Sequence, residues 1–162
     1  IINDISAGEL DPLIVDVAAE HDVPYVAMHM KGNPRTMQSM TDYRDIVAEV
    51  VDYFRERTAQ LRERGVRRIV VDPGFGFAKT LEQNYELLRG LHRLAELGYP
   101  VLAGVSRKSM IYKLLGTTPA EALNGTTALH WECLRQGAVI LRAHDTREAV
   151  EVVRMFDQFM QA

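Results

Sequence analysis

The sequence is poor in cysteine and carries no excess of positive charge. Its 162 residues include a single cysteine, Cys133, so no disulfide can form within the chain and a reducing compartment fits. Lysine and arginine number 19 against 22 aspartate and glutamate residues, which argues against a basic face that holds nucleic acid. No apolar run reaches the length of a membrane span. These absences predict a cytoplasmic protein that binds neither nucleic acid nor a membrane.

The chain also lacks the glycines of a nucleotide-binding loop. The stretch DPGFGFAKT, residues 72–80, follows an apolar run and precedes a helical pattern, as a phosphate loop would. A P-loop needs glycine where this chain has Pro73 and Ala78, and the dinucleotide fingerprint needs a third glycine where it has Lys79. What remains is a strand that ends in Asp72, a Pro-Gly turn and a new helix.

Five short apolar runs alternate with helical patterns along the chain. Each run has few charges in its middle, as expected for parallel strands that are covered on both faces. The alternation predicts an α/β fold of parallel (βα) repeats with right-handed crossovers. The runs span residues 1–5, 24–30, 67–73, 100–106 and 138–144.

Several of the intervening helices have recognisable ends. The sequences TLEQ at 80–83 and TPAE at 118–121 are capping boxes, and they predict helices that end at Gly98 and Gly137. The last helix is expected to begin within residues 145–148. Its apolar stripe is predicted at Val150, Val153, Phe156 and Phe159 or Met160.

Polar side chains follow each of the five runs. In a parallel fold the carboxyl ends of all strands lie at one face, so we expect these side chains around one rim. Amide and carboxylate groups dominate one part of the rim and cations the other, a division that suits a ligand with a polar heterocycle and a phosphate. The residues are Asn3, Asp4, His29, Lys31, Asn33, Asp72, Ser106, Arg107, Lys108, Ser109, Arg142, His144 and Asp145.

Most of these residues also have a simpler interpretation. Asn3 and Asp4 are good turn formers, as is Asp72 before Pro-Gly, and SRKS at 106–109 suits a solvated basic turn. Arg142 is harder to dismiss, because a charge within an apolar run needs a partner.

Taken together, five motifs resemble the dihydropteroate synthase family. The resemblance implies a TIM (β/α)8 barrel and a transferase of folate biosynthesis, the target of sulfonamides. That family condenses 6-hydroxymethyl-7,8-dihydropterin pyrophosphate with p-aminobenzoate to give 7,8-dihydropteroate and pyrophosphate. The resemblance further implies Mg²⁺ as a cofactor and a homodimer for the full-length enzyme. The motifs are INDIS (2–6), MHMKGNPRTMQ (28–38), DPGFGFAKT (72–80), GVSRKS (104–109) and RAHD (142–145).

The resemblance implies a role for each matching residue. Three groups are involved: positions that hold the pterin, positions that line the p-aminobenzoate pocket and positions that hold the pyrophosphate. The pterin positions are Asn3, Met28, Asp72, Lys108 and Arg142. The p-aminobenzoate positions are Phe77, Ser106 and Ser109, and the pyrophosphate positions are Arg142 and His144. Catalysis is implied for Lys108, Arg142 and His144.

The chain departs from the family in its length. Its five βα units resemble strands four to eight of the barrel, and the family's NxTPDSF loop, which carries an Asn at the metal, does not occur in the sequence. We therefore expect residues 1–162 to form a single pterin-binding domain, a partial TIM barrel without the first three βα units. Such a chain should have no metal ligand of its own, no activity by itself and two open apolar edges, at 1–5 and 138–144.

Two other functions stay open at this point. A methyltetrahydrofolate-dependent methyltransferase has a similar pterin-binding barrel, although methyl transfer has no pyrophosphate to hold and so leaves the SRKS and RAHD pair unexplained. A non-catalytic remnant that binds a pterin, or only assembles with a partner chain, would keep most of the same residues without turnover.

Overall fold

The five apolar runs form five short parallel strands. The fold comes from a computed structural model, which describes residues 1–32 and 40–161. The predicted α/β fold of parallel (βα) repeats is confirmed, with strands somewhat shorter than the runs that predicted them. The strands are β1 (Ile2–Asp4), β2 (Tyr25–Met28), β3 (Ile69–Asp72), β4 (Leu102–Ala103) and β5 (Ile140–Leu141).

The strands lie side by side in chain order. β1, β2 and β3 pair in parallel, and so do β4 and β5. A parallel bridge between Val71 and Val101, with Val71 N–H donating to Pro100 O over 2.9 Å, connects the two groups. The sequential order is that of one arc of a β/α barrel wall. Among the described strands, β1 and β5 each pair with a single neighbour, and near them Ile1 is 86% exposed and Val139 is 67% exposed.

Helices connect the strands and cover one face of the arc. Asp45 caps the longest of them by accepting a hydrogen bond from Ala48 N–H at 2.9 Å, and the chain leaves that helix through Gly65, whose φ is +91°. The helices are α1 (Leu13–Glu20), α2 (Ile46–Glu63), α3 (Leu81–Arg89), α4 (His92–Ala95), α5 (Ser109–Leu115), α6 (Leu123–Arg135) and α7 (Thr146–Gln161). None of the described helices is long and apolar enough to cross a membrane.

Two helix predictions need correction at their ends. The Thr80–Gln83 capping box is present, but the helix that it begins ends at Arg89, and a separate short helix, α4, follows. A Cβ atom on Gly90 would lie 2.7 Å from Val47 of α2, so the chain passes close to α2 at the break. The second capping box, at Thr118, opens a 3₁₀ turn over Pro119–Glu121 before α6 begins.

The predicted apolar stripe of α7 is partly wrong, because only Val153 and Phe156 of it are half-buried. Ala149 and Val152 are buried, whereas Val150 is 49% exposed and Phe159 and Met160 are each 66% exposed. The helix therefore packs mainly through Ala149 and Val152, with Phe156 half-buried against Trp131, while Phe159 and Met160 are exposed.

The two faces of the strand arc have different surroundings. Successive side chains of a strand point to opposite faces. Tyr25 and Ala27 of β2 belong to the large core that packs against the helices. Val26, Val70 and Leu102 form a small separate cluster on the other side, which we call the inner face. Side chains at the carboxyl ends of the strands on this inner face define the candidate site.

Candidate functional site

The turn after β3 is built around the carboxylate of Asp72. Asp72 pairs with Met28 in the parallel register, two residues beyond Val26 and Val70, so both side chains belong to the inner face. Asp72 is buried, and its Oδ1 accepts a hydrogen bond from Gly74 N–H at 2.8 Å. The predicted placement of a carboxylate at the strand end is confirmed.

Glycine is required in this turn. Gly74 has a φ of +68°, in the left-handed region that favours glycine. A Cβ atom there would lie 2.1 Å from the backbone oxygen of His29 at the end of β2. Gly74 therefore allows the turn to close over the neighbouring strand and fixes the position of Asp72.

Burial and nearby cations act on Asp72 in opposite directions. Burial raises the pKa of its carboxyl above the ordinary value, while the Gly74 N–H hydrogen bond and the charges of Lys108, Arg142 and Lys79 oppose that shift. A buried acid with three cations around it is an unusual arrangement for a simple turn. It suits a ligand that presents N–H donors to the carboxylate.

Lys79, which has no predicted role, stabilises the turn through hydrogen bonds to its backbone. It is buried, and its Nζ donates to Gly74 O at 3.0 Å and to Phe77 O at 2.9 Å. The third contact, 3.2 Å long, is to Nδ1 of His29. Burial lowers the pKa of Lys79 to about 7, and the charge of Asp72 opposes that shift. The only sequence signal for this role is a lone lysine within an otherwise apolar turn.

His29 is the neutral partner of Lys79. It is buried at the end of β2, and its ring meets Tyr53 edge-on with 4.9 Å between the ring centroids. Burial lowers the pKa of His29 well below its ordinary value, and the charges of Lys79 and Lys31 lower it further. The neutral imidazole can therefore accept a hydrogen bond from the lysine at Nδ1.

Lys108 reaches the same turn from the end of β4. Its Nζ donates a hydrogen bond to Phe75 O and lies 4.9 Å from the centroid of the Phe77 ring. Burial lowers the pKa of Lys108 to about 8, while the charge of Asp72 raises it and that of Arg142 lowers it. We call Asp72, Lys79 and Lys108 the floor of the site.

Arg142 and His144, which we call the rim, follow β5 and are both exposed. Arg142 continues the register in which Ala103 pairs with Leu141, so it lies beside Gly104. A Cβ atom on Gly104 would lie 2.9 Å from Nη2 of Arg142 and 3.2 Å from Nε. Because Gly104 has no side chain, the guanidinium group of Arg142 can occupy the space beside it.

Ser106 and Ser109, both predicted to line the p-aminobenzoate pocket, lie in different surroundings. Ser106 is buried, and its Oγ accepts a hydrogen bond from His144 N–H at 3.1 Å and lies 3.0 Å from His144 Nδ1. Ser109 is the first residue of α5 and lines a cavity of about 210 Å³ between α3 and α5, together with Lys79 and Lys113. Ser106 therefore supports the rim.

Three of the polar residues predicted at the strand ends form contacts away from the floor and the rim. Asp4 accepts hydrogen bonds from Tyr25 OH at 2.6 Å and from Ser6, so it organises the loop after β1. Arg107 and Asp145 form an ion pair with each other, 2.7 Å long. These charges stabilise the protein's own loops.

The remaining predicted residues lie around the floor or beyond the described part of the chain. Asn3 pairs with Val26, one layer below Met28, and is exposed at the open edge. Lys31 forms a salt bridge of 3.1 Å with Glu49. Asn33 and the end of the second motif, up to residue 38, lie outside the described residues.

A metal site does not emerge from the described residues. Within 1–32 and 40–161, no three His, Cys, Asp or Glu side chains lie close enough together to hold a metal ion. The chemistry offered by this part of the chain is therefore that of a buried carboxylate, several cations and an aromatic ring.

Known proteins share both this sequence and this fold. A family model described as pterin binding enzyme matches residues 1–144. A dihydropteroate synthase from Synechocystis sp. is 43% identical over 160 residues, which cover 97% of this chain and 55% of that protein. The chain spans about half the length of the curated relatives it matches.

Solved structures agree with the arc of strands. A dihydropteroate synthase from Thermus thermophilus is 40% identical, with TM-scores of 0.91 in a complex with 6HMPPP and 0.92 in a complex with 4-aminobenzoate. These matches cover 96% of this chain and 62% and 64% of those chains. The Yersinia pestis enzyme with a sulfonamide drug has a TM-score of 0.95 at 35% identity, covering 99% of this chain and 59% of that one. The fold is part of a TIM barrel, and the chain belongs to the pterin binding enzyme family.

Proposed function

We propose that this chain provides the carboxyl-terminal strands of a dihydropteroate synthase site. The reaction joins 6-hydroxymethyl-7,8-dihydropterin pyrophosphate to p-aminobenzoate and releases pyrophosphate. The relatives named above are dihydropteroate synthases, and their activity is carried over to this shorter chain as a proposal. The proposed domain is the whole chain, a partial barrel of five βα units.

The observation that carries the proposal is the buried carboxylate of Asp72 beside the amino groups of the floor. A pterin presents a guanidine-like edge of ring N–H and amine donors, which pair with a carboxylate through two charge-assisted hydrogen bonds. Lys108 would exchange its bond to Phe75 O for the ring carbonyl of the pterin. Met28, next to Asp72 in the register, and Asn3, one layer below, would line the same pocket.

The second substrate would enter beside Phe77. The ring of Phe77 lies under the ammonium group of Lys108 and offers an aromatic wall. Ser106 and Ser109 stay the proposed polar contacts for the carboxylate of p-aminobenzoate. The Thermus thermophilus complex with 4-aminobenzoate, the same compound, supports this part of the proposal.

The chemistry follows from where charge develops. The bond between the pterin methylene and the pyrophosphate oxygen breaks, and its electron pair leaves with the pyrophosphate. The amine nitrogen of p-aminobenzoate forms the new bond to the methylene and loses a proton. Arg142 and His144 would bind the departing pyrophosphate, and preorganised cations of this kind stabilise the developing negative charge.

Three further features stay predictions. Mg²⁺ would accompany the pyrophosphate, but the described residues offer no cluster of metal-ligating side chains to hold it. A homodimer and a cytoplasmic location are expected for the full-length enzyme. Mg²⁺ would supply charge neutralisation at the phosphates.

Pyrophosphate competition tests this proposal against the methyltransferase alternative. We expect isothermal titration calorimetry to detect binding of the pterin pyrophosphate to the chain, and inorganic pyrophosphate to compete with it. The substitution Arg142→Ala should abolish the competition, because it removes the main phosphate-binding cation. Pterin binding that is indifferent to pyrophosphate would instead favour a methyltransferase.

A turnover assay separates the enzyme from a non-catalytic binder. Because the chain spans only part of its relatives, we expect no formation of dihydropteroate by the 162-residue chain alone. Adding the amino-terminal portion of a relative as a separate chain should restore product if the site is catalytic. Binding of the pterin without product in that mixture would favour the remnant.

A further inference from the structure

Arg107 occupies the middle of the SRKS motif but turns away from the site. Its φ is +53°, a left-handed conformation that is uncommon for a residue with a side chain. Its backbone N–H donates to Thr126 Oγ1 of α6 at 3.0 Å, which holds the turn in place. This conformation sends the side chains of Arg107 and its neighbour Lys108 in different directions.

The guanidinium group of Arg107 donates most of its hydrogen bonds within the protein. Its Nε and Nη2 donate to the two carboxylate oxygens of Asp145, at 2.8 and 2.7 Å, in a bidentate pair. Its Nη1 donates to Pro119 O at 2.8 Å and to Ala120 O at 2.6 Å. Four of its five N–H donors are thus occupied, so the group has little capacity left for a phosphate.

The ion pair joins the loops that follow β4 and β5. Arg107 and Asp145 are only 24% and 18% exposed at their side chains, unlike the surface pairs elsewhere on the chain. A second link runs in parallel one residue earlier in each loop, where Ser106 Oγ accepts from His144 N–H at 3.1 Å. The two loops that carry the cations of the site are therefore fastened at two consecutive positions.

We propose that Arg107 and Asp145 form a clamp that positions the cations of the site without touching a ligand. The clamp fixes the distance between the loop of Lys108 and the loop of Arg142 and His144. This inference deepens the proposed function and relies on it for the identity of the ligand, a pterin with a pyrophosphate ester. Arg107 and Asp145 are positioning residues in that scheme.

Substitutions in the two partners of the ion pair distinguish a clamp from a phosphate ligand. We expect Arg107→Lys and Asp145→Asn each to weaken binding of inorganic pyrophosphate by about tenfold, since each destroys the bidentate pair and keeps the side-chain size. If Arg107 were itself a phosphate ligand, Asp145→Asn would release it and strengthen binding. Strengthened or unchanged binding by Asp145→Asn would overturn the clamp.

A matched control and a double variant sharpen this test. Arg135→Ala removes an ion pair with Glu132 that lies within one exposed helix, and it should leave pyrophosphate binding unchanged. The double variant Arg107→Lys/Asp145→Asn should lose no more affinity than either single variant, because both act through one pair. Additive losses would contradict a shared role.

Amide hydrogen exchange tests the clamp without any ligand. We expect exchange at residues 107 and 144 to accelerate about tenfold in either single variant, while β1–β3 amides exchange as before. A uniform acceleration would indicate general destabilisation and would overturn the inference. If the unsubstituted chain binds neither pyrophosphate nor the pterin ester, the proposed function fails, and exchange alone decides whether the clamp exists.

Discussion

The floor and the rim of the site differ in how the protein treats their charges. In the floor, Asp72 and Lys79 are buried and hydrogen-bonded to the turn that contains them. In the rim, Arg142 and His144 are exposed, and they are placed by the space that Gly104 leaves, by Ser106 and by a loop that the Arg107–Asp145 pair holds. The floor is thus fixed before a ligand arrives, while the rim has charge available for one.

This difference matches what the two halves of the proposed ligand need. A pterin ring is flat and carries a fixed pattern of donors and acceptors, so a rigid carboxylate selects it. A pyrophosphate changes its charge and its position as it leaves, and exposed cations are more accessible to it than buried ones. Substitutions in the floor should therefore change recognition of the ring and stability, and substitutions in the rim should change recognition of phosphate.

The largest effect is expected for Asp72→Asn. Asparagine keeps an oxygen for Gly74 N–H, so the turn should persist, but the charge that we propose to pair with the pterin is lost. Hydrogen bonds to charged groups contribute about 1.5–3 kcal/mol, so affinity for the pterin should fall about 100-fold. Calorimetry checks the affinity, and Asp157→Asn on the exposed side of α7 is the control. An unchanged affinity would remove Asp72 from the site.

The next effect is on stability. Lys79→Met leaves the carbonyl group of Phe77 without its ammonium donor and leaves that of Gly74 with the Phe77 N–H alone, and an unsatisfied group costs about 1–3 kcal/mol. We expect the free energy of unfolding in urea to fall by about 2 kcal/mol. Lys113 is exposed and lines the same cavity between α3 and α5 as Lys79, so Lys113→Met should leave the free energy of unfolding nearly unchanged. Equal stability of the two variants would contradict the structural role of Lys79.

A smaller effect is expected in the rim. Gly104→Ala places a methyl group 2.9 Å from Nη2 of Arg142, and the guanidinium group must move aside. Affinity for the pterin pyrophosphate should fall about tenfold, the loss expected for one displaced charge-assisted contact. Binding of the pterin without phosphate serves as the internal comparison and should fall much less. Equal losses for both ligands would show that Gly104 acts on the whole pocket.

The smallest effect is a pH dependence. Burial lowers the pKa of Lys108 to about 8, so its ammonium group loses its proton as the pH rises through that value. Because the proposed contact with the pterin carbonyl needs the protonated form, affinity should decline severalfold between pH 7 and pH 9. In Lys108→Met this decline should be much smaller, and Lys113→Met should retain it. A flat profile for the unsubstituted chain would contradict the assignment.

Much of the fold could be predicted because the apolar runs indicate where the strands lie. The five strands lie within the five runs, and the register of β2 with β3 aligns Met28 with Asp72. Helix ends were also legible where side chains cap them, as at Thr80 with Gln83. Local signals of this kind depend on residues that are close in sequence.

Packing direction was harder to predict than the presence of an element. The predicted α7 stripe lies one position away from the buried residues Ala149 and Val152, because hydrophobicity alone does not show which side of a helix is covered. Trp131 of α6 meets Phe156 and Phe159 edge-on, with ring centroids 5.3 and 5.6 Å apart, and of these three only Phe159 is exposed. Aromatic contacts at the margin of the interface thus resemble a core stripe in the sequence.

The site shows the same limit for charged residues. Arg107 and Lys108 are adjacent and chemically similar, yet only Lys108 belongs to the floor. Arg107 instead forms an ion pair with Asp145, which lies 38 residues further along the chain. Lys79 likewise contacts Nδ1 of His29, which lies 50 residues earlier in the chain. The direction of a charged side chain is decided by distant partners, which the sequence of the motif does not contain.

The most direct test is a comparison of two variants with two ligands. The affinities of Asp72→Asn and Arg142→Ala would be measured by calorimetry, with 6-hydroxymethyl-7,8-dihydropterin and with its pyrophosphate ester. The account predicts that Asp72→Asn weakens both ligands equally, and that Arg142→Ala weakens the ester at least tenfold more than the bare pterin. Equal losses from Arg142→Ala for both ligands, or a loss from Asp72→Asn limited to the ester, would contradict the division into floor and rim.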